Sequence, residues 1–169
     1  MTSQEKCDIH FSTGLGPKPR SLVEHKELRQ LLDAMIRSAK LSVEKTTNLL
    51  PFAMTLSEQG KIAQLAIADR EERLMEAMSR IVENGLKLIA QQTMCSAVGF
   101  CPEVHFLNGS KAAGNAQVVF LLEHRDGCAY RVVIPEFLEP KHWNAVRTEP
   151  RFFVRLNGKP FSASTGTRW

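Results

Sequence analysis

The run Val118-Val119-Phe120-Leu121-Leu122, leading into His124-Arg125-Asp126-Gly127, constrains the fold more than any other part of the chain. Five successive apolar residues with no polar alternation do not make a strand with one face in water. They predict a strand covered on both faces, by a helix on one side and another element on the other. The run ends at 125–127, Arg-Asp-Gly, a tight turn in which glycine supplies positive φ, and a second apolar stretch follows. The spacing predicts a hairpin of 117–124 with 128–135.

The helical segments come before that hairpin. Ser21-Leu22-Val23-Glu24 has the capping-box order, serine at the N-cap and glutamate three residues on. Leu28, Leu31, Leu32, Met35, Ile36, Ala39 and Val43 then recur at helical spacing, and Pro51 blocks continuation, so a helix is predicted over 21–46. Leu74, Met75, Met78, Ile81, Val82, Leu86 and Ile89 predict a second helix over 69–92. Gly85 lies inside it, at a cost of about 1 kcal/mol against alanine, and suggests a close packing contact there. Between the helices, 52–56 and 61–68 flank Ser57-Glu58-Gln59-Gly60 and read as a hairpin. Residues 96–107 read as one long strand, broken or bulged near Pro102. Residues 137–150 read as a loop or short helix. Residues 151–156 alternate as a strand.

With 169 residues, 43% of them hydrophobic, the chain has material for one core. The expected fold class is α+β: two long helices on one face of a mostly antiparallel sheet of five to six strands. The order helix–hairpin–helix–strands is like that of profilin-like and roadblock-like folds, by analogy only. The expected organisation is a flexible lead over 1–20, one domain over 21–156 and a basic tail over 157–169. Leu32, Met35, Ile36, Met78, Ile81, Val82, Phe120 and Val132 are expected in the core.

Two further stretches carry a resemblance. Leu50-Pro51-Phe52-Ala53-Met54-Thr55-Leu56 is followed by Gly60-Lys61-Ile62, and Leu122-Glu123-His124-Arg125-Asp126-Gly127-Cys128-Ala129 by Val132-Val133-Ile134-Pro135. Together they resemble small bacterial α+β proteins of unassigned function with a "PFA…L…G" hairpin and an "EHRDG…VP" hairpin. The resemblance covers roughly 28–135 and implies a fold; it brings no activity. The ending is Ile134-Pro135 here, and the chain after Pro135 departs from the pattern.

Chemistry is thinly signposted. His124-Arg125-Asp126 spells the kinase catalytic tripeptide, but Arg131 stands where the metal-binding asparagine belongs and no Asp-Phe-Gly follows. Cys101, His105, His124 and Cys128 form a two-Cys, two-His set. Four residues of strand span about 13 Å, too far for Cys101 and His105 to share an ion unless Pro102 kinks the chain between them. No metal and no cofactor are therefore expected. Across a three-residue turn His124 would sit opposite Cys128, at about 5 Å between Cβ atoms, and a thiol–imidazole pair is the weak catalytic candidate. No orienting carboxylate is identifiable from the sequence.

The net charge of +4 sits at the C-terminus: residues 151–169 hold Arg151, Arg155, Lys159 and Arg168 and no acid. Arg151, Phe153 and Arg155 on one strand face would suit nucleic acid, the arginines on phosphates and the ring under a base; an edge protected by charge is the plainer reading. With no apolar leader near the start, a cytoplasmic location is expected, with reduced cysteines. The leading expectation is a non-enzymatic binding or protein-interaction module, self-associating as a homodimer through a sheet edge or a helix face. The alternatives are a thiol enzyme using Cys128 and His124, or a nucleic-acid binder through the C-terminal strand.

Overall fold

In a computed structural model of the chain, the structure describes residues 21–46, 50–66, 75–92, 94–102, 104–106, 116–135 and 143–153. The expected lead over 1–20, the start of the second helix over 69–74, Arg155 and the tail over 157–169 lie outside them. The elements are α1 (Lys26–Thr46), β1 (Phe52–Ser57), β2 (Ile62–Ala66), α2 (Met75–Gln92), β3 (Cys95–Cys101), β4 (Val104–Phe106), β5 (Ala116–His124), β6 (Ala129–Ile134) and β7 (Asn144–Arg147). No described helix is long and apolar enough to cross a membrane.

The strands form one antiparallel sheet in the order β2-β1-β3-β5-β6-β7, with β4 beside β3 on the same side of β5. The sheet is therefore six strand positions wide. β3 and β4 are the broken strand expected near Pro102. Phe100 pairs with Leu121, and Val104 with Val118, so the register slips by one residue across the proline. Both expected hairpins form, and Gly60 and Gly127 hold positive φ in their turns.

The two helices lie on opposite faces, which corrects the expectation of one shared face. Leu28, Leu31, Leu32 and Met35 of α1 pack with Phe52, Met54, Leu56, Ala97, Val118, Phe120 and Leu122. Val82, Leu86 and Ala90 of α2 pack with the alternate strand residues Ala53, Val98 and Phe100. Alternation across each strand makes these two different faces. The physical reason lies in β3, buried along its whole length, and in the apolar run of β5: both strands have two apolar faces, and one layer of helix covers only one. Gly99 lets α1 sit down on β3, because a Cβ there would lie 2.2 Å from Met35 Sδ. Gly85 does the same for α2, where a Cβ would approach Leu65 to 3.1 Å.

Two further corrections follow. Ile81, expected in the core, is 45% exposed, since the buried row of α2 runs Met78-Val82-Leu86-Ala90. The last described strand is Asn144–Arg147, inside the segment 137–150 expected as loop or short helix, and residues 151–153, the described part of the strand expected over 151–156, are not in a strand. Residues 151–153 bend instead, because Glu123 captures their backbone. Its carboxylate accepts from the N–H of Arg151 at 2.7 Å, of Phe152 at 3.1 Å and of Phe153 at 2.5 Å. Burial raises the Glu123 carboxyl above its usual range, against the lowering by these donors and by the Arg151 charge. The capture drives Phe152 and Phe153 into the core on the α2 side, where Phe152 meets Phe100 edge to face.

Candidate functional site

A cluster of hydrogen-bonded polar side chains lies where the start of α1, the β5–β6 turn and a bulge in β3 meet. Each contributes for a local reason. Ser21 Oγ does accept from the Glu24 N–H, at 3.4 Å, but that bond belongs to a separate turn. The helix proper begins at Lys26, and the His25 carbonyl accepts its first bond, from Arg29 N–H at 2.9 Å. His25 is thus the N-cap, with its side chain fixed where the chain swings into the helix, and Glu27 occupies the first turn, next to the positive end of the dipole. Ser96 is the extra residue of the bulge: Leu56 pairs with Ala97, and Ser57 with Cys95.

The β5–β6 turn closes as its sequence predicts. His124 N–H donates to the Cys128 carbonyl at 2.8 Å, Gly127 N–H to the His124 carbonyl at 3.0 Å, and Cys128 N–H to Asp126 Oδ1 at 2.8 Å. Asp126 thereby caps its own turn and aims its carboxylate at two imidazoles. Oδ2 lies 2.9 Å from His25 Nε2, and Oδ1 lies 3.1 Å from His124 Nδ1. The two rings are 4.4 Å apart between centroids, tilted by 56°. His124 Nε2 lies 3.3 Å from Glu27 Oε1, and Ser96 donates its hydroxyl hydrogen to Glu27 Oε2. Ser96 therefore serves a carboxylate and is not a nucleophile held by a histidine.

The electrostatics follow from this alternation of acid and base. Burial alone would push the His124 imidazole down, but the hydrogen bond and charge of Asp126, with those of Glu27, raise it above its usual value. Burial likewise works to raise Asp126, and the bonds from His124, His25 and the Cys128 N–H overcome it and hold the carboxyl far below the normal range. Glu27 is lowered in the same way, by Ser96 and His124 acting against burial.

Of the residues singled out from sequence, His124 and Cys128 do fall opposite each other across a three-residue turn. Cys128 is 8% exposed and belongs to the core cluster beneath α1. The orienting carboxylates that sequence did not identify exist: they are Asp126 and Glu27. Cys101 is buried in the same core, while the His105 side chain lies outside the described residues. The proposed nucleic-acid face is not assembled as expected. Phe153 is fully buried, with the Arg125 guanidinium 5.8 Å above its ring, and Arg151 is bonded to Glu83 at 2.5 Å. A base has no access to that ring. Sequence reading missed His25 and Glu27; the signal was a histidine and a glutamate two residues apart at a helix start, which is too common to stand out. The chain matches no family model, no curated protein and no solved structure, so what this cluster does is argued from its geometry.

Proposed function

We propose that the chain is a non-enzymatic protein-interaction module that forms a homodimer by pairing the β2 strands of two copies. The observation that supports this reading is β2 itself. It ends the sheet, and Ile62, Ala63, Gln64 and Ala66 are all exposed. The strand reads Ile-Ala-Gln-Leu-Ala, without the charge or proline by which proteins usually protect an edge. Antiparallel pairing about a two-fold axis at Gln64 would set Ile62 against Ala66 and Ala63 against Leu65, a self-complementary register. The element order, like that of profilin-like and roadblock-like folds, adds no function to this reading. In it the protein works in a reducing cytoplasm, where buried cysteines such as Cys95, Cys101 and Cys128 stay out of disulfides.

The thiol-enzyme alternative draws on the His124–Asp126 pair beside Cys128, but a thiol facing an apolar core is poorly placed to meet a substrate. Sedimentation velocity over a range of concentrations tests the proposal. The expected result is a reversible dimer, reduced to monomer by Ala63→Lys with Gln64→Lys, which put a charge on each face of the edge without touching the core. A monomer at every concentration, or a dimer that survives both lysines, rejects it.

A further inference from the structure

We infer that His25, His124 and Asp126 form a binding site for a divalent transition-metal ion of the zinc class, a function separate from the pairing of β2 edges. Each of the three offers a donor atom, and these atoms lie within 4.8 Å of one another. Zinc binds nitrogen at about 2.0–2.1 Å and carboxylate oxygen at about 2.0–2.2 Å, which in a tetrahedron puts ligand atoms roughly 3.3 Å apart. Asp126 reaches the two rings with different oxygens, Oδ2 at 2.9 Å from His25 Nε2 and Oδ1 at 3.1 Å from His124 Nδ1, and each of these separations is close to that figure.

The surroundings suit an ion as well as the distances do. A metal-bound histidine characteristically gives its other ring nitrogen to a carboxylate, which fixes the tautomer. Glu27 stands at that position, 3.3 Å from His124 Nε2, and is itself held by Ser96. With the proton on Nε2, His124 Nδ1 presents a lone pair. The Asp126 N–H donates into it at 3.1 Å, and an ion would take that N–H's place. The carboxylates of Asp126 and Glu27 stand beside the two imidazoles and supply negative charge that a divalent cation offsets. Access also fits: the His25 side chain is 5% exposed and forms the floor, while that of Asp126, on the turn, is 31% exposed and forms the rim. Two nitrogens and one oxygen favour zinc and its neighbours over calcium or magnesium, which need more oxygens. Three protein ligands leave a fourth position for solvent. The four residues come from α1 and the β5–β6 turn, far apart in sequence, so the site exists only in the folded chain.

The test is a zinc titration of the full chain, stripped of metal, in competition with a chromophoric chelator, repeated with cobalt for its absorption spectrum. The expected result is one ion per chain and a cobalt spectrum lacking a thiolate charge-transfer band. Asp126→Asn, which keeps the oxygen that caps the turn, should abolish binding, as should His124→Gln. Glu27→Gln should weaken it by about 10–100-fold, the usual effect of losing the outer carboxylate. Cys128→Ser should leave it unchanged. Thermal melts of the metal-free variants establish that each is folded, and Asp126→Asn decides the matter if His124→Gln is not. No bound ion, a thiolate band, loss of the ion with Cys128→Ser, or full binding by folded Asp126→Asn overturns the assignment.

Discussion

Replacing Glu123 with glutamine tests whether a buried carboxylate, rather than aromatic burial alone, holds residues 151–153 against the sheet. Glu123 is 2% exposed, and both of its oxygens are in use. Oε1 accepts from Phe153 N–H at 2.5 Å and shares the Phe152 N–H, while Oε2 accepts from Arg151 N–H at 2.7 Å and takes the other share. Glutamine has one oxygen. Placed at Oε1, it keeps Phe153 and turns its NH2 toward the Arg151 N–H, donor against donor. One charge-assisted bond is lost, worth about 1.5–3 kcal/mol, and the stranded donors add about 1–3 kcal/mol. Relief from burying a charge returns part of this. The expected net loss is about 2–3 kcal/mol, read as a lower denaturant midpoint at unchanged slope. Hydrogen exchange at the amides of Phe152 and Phe153 should accelerate more than exchange in β3, because the damage is local. A Glu123→Gln protein within about 0.5 kcal/mol of wild type, with the two amides equally protected, would show that Phe152 and Phe153 hold the segment without the carboxylate.

The remaining predictions concern the core and the polar cluster. Gly99→Ala should cost about 1–3 kcal/mol by overpacking against Met35, and a double-mutant cycle with Met35→Ala should show coupling of about 0.5–3 kcal/mol; additive effects would refute the close approach. Phe120→Asp should give no cooperatively melting protein, since it puts an unpaired charge between two covered faces; a normal melt would mean β5 is not central. In chelator-treated protein, the Asp126 contribution to stability should be present above the ordinary aspartate range and be lost as pH falls through its depressed value. The His124 contribution should be complete below about 6.5 and be lost as pH rises through its raised value. Denaturation across pH should therefore show a maximum between those ranges whose alkaline decline is flattened in Asp126→Asn.

How much of this was legible in the sequence depends on the distance over which each feature is decided. The two hairpins were, because Ser57–Gly60 and 125–127 carry their turn chemistry within a few residues. So were the break at Pro102 and the double covering of β5, which are properties of single strands. The helix faces were not. Both apolar stripes say only that each helix lies on some apolar surface, and the choice of face rests on β3 being buried on both sides, a result of its place between β1 and β5. The bend at 151–153, the described part of the expected strand, is hidden from sequence for a similar reason. Alternation there looks like a strand, but Glu123, about thirty residues earlier, takes the amides that a ladder would need.

The polar cluster divides in the same way. His124 and Asp126 are two residues apart, and a turn that caps itself with Asp126 also brings the carboxylate under the His124 ring; that half can be read from His-Arg-Asp-Gly alone. His25 is about a hundred residues from Asp126, and its place depends on a detail that sequence got wrong. A helix begun at Ser21 would put residue 25 inside the first full turn and point it by helical phase. Because Ser21 and Glu24 close a turn of their own, the helix begins at Lys26, and His25 becomes the cap residue whose side chain faces back toward the β5–β6 turn. The five-residue delay thus sets the cluster: it turns an ordinary histidine into the buried partner of Asp126 and places Glu27, two residues on, within reach of His124 and Ser96. A site made in this way is specified by the start of one helix, the bend of one hairpin and the β3 bulge that presents Ser96, so changes elsewhere in the sheet that leave all three in place should leave the cluster intact.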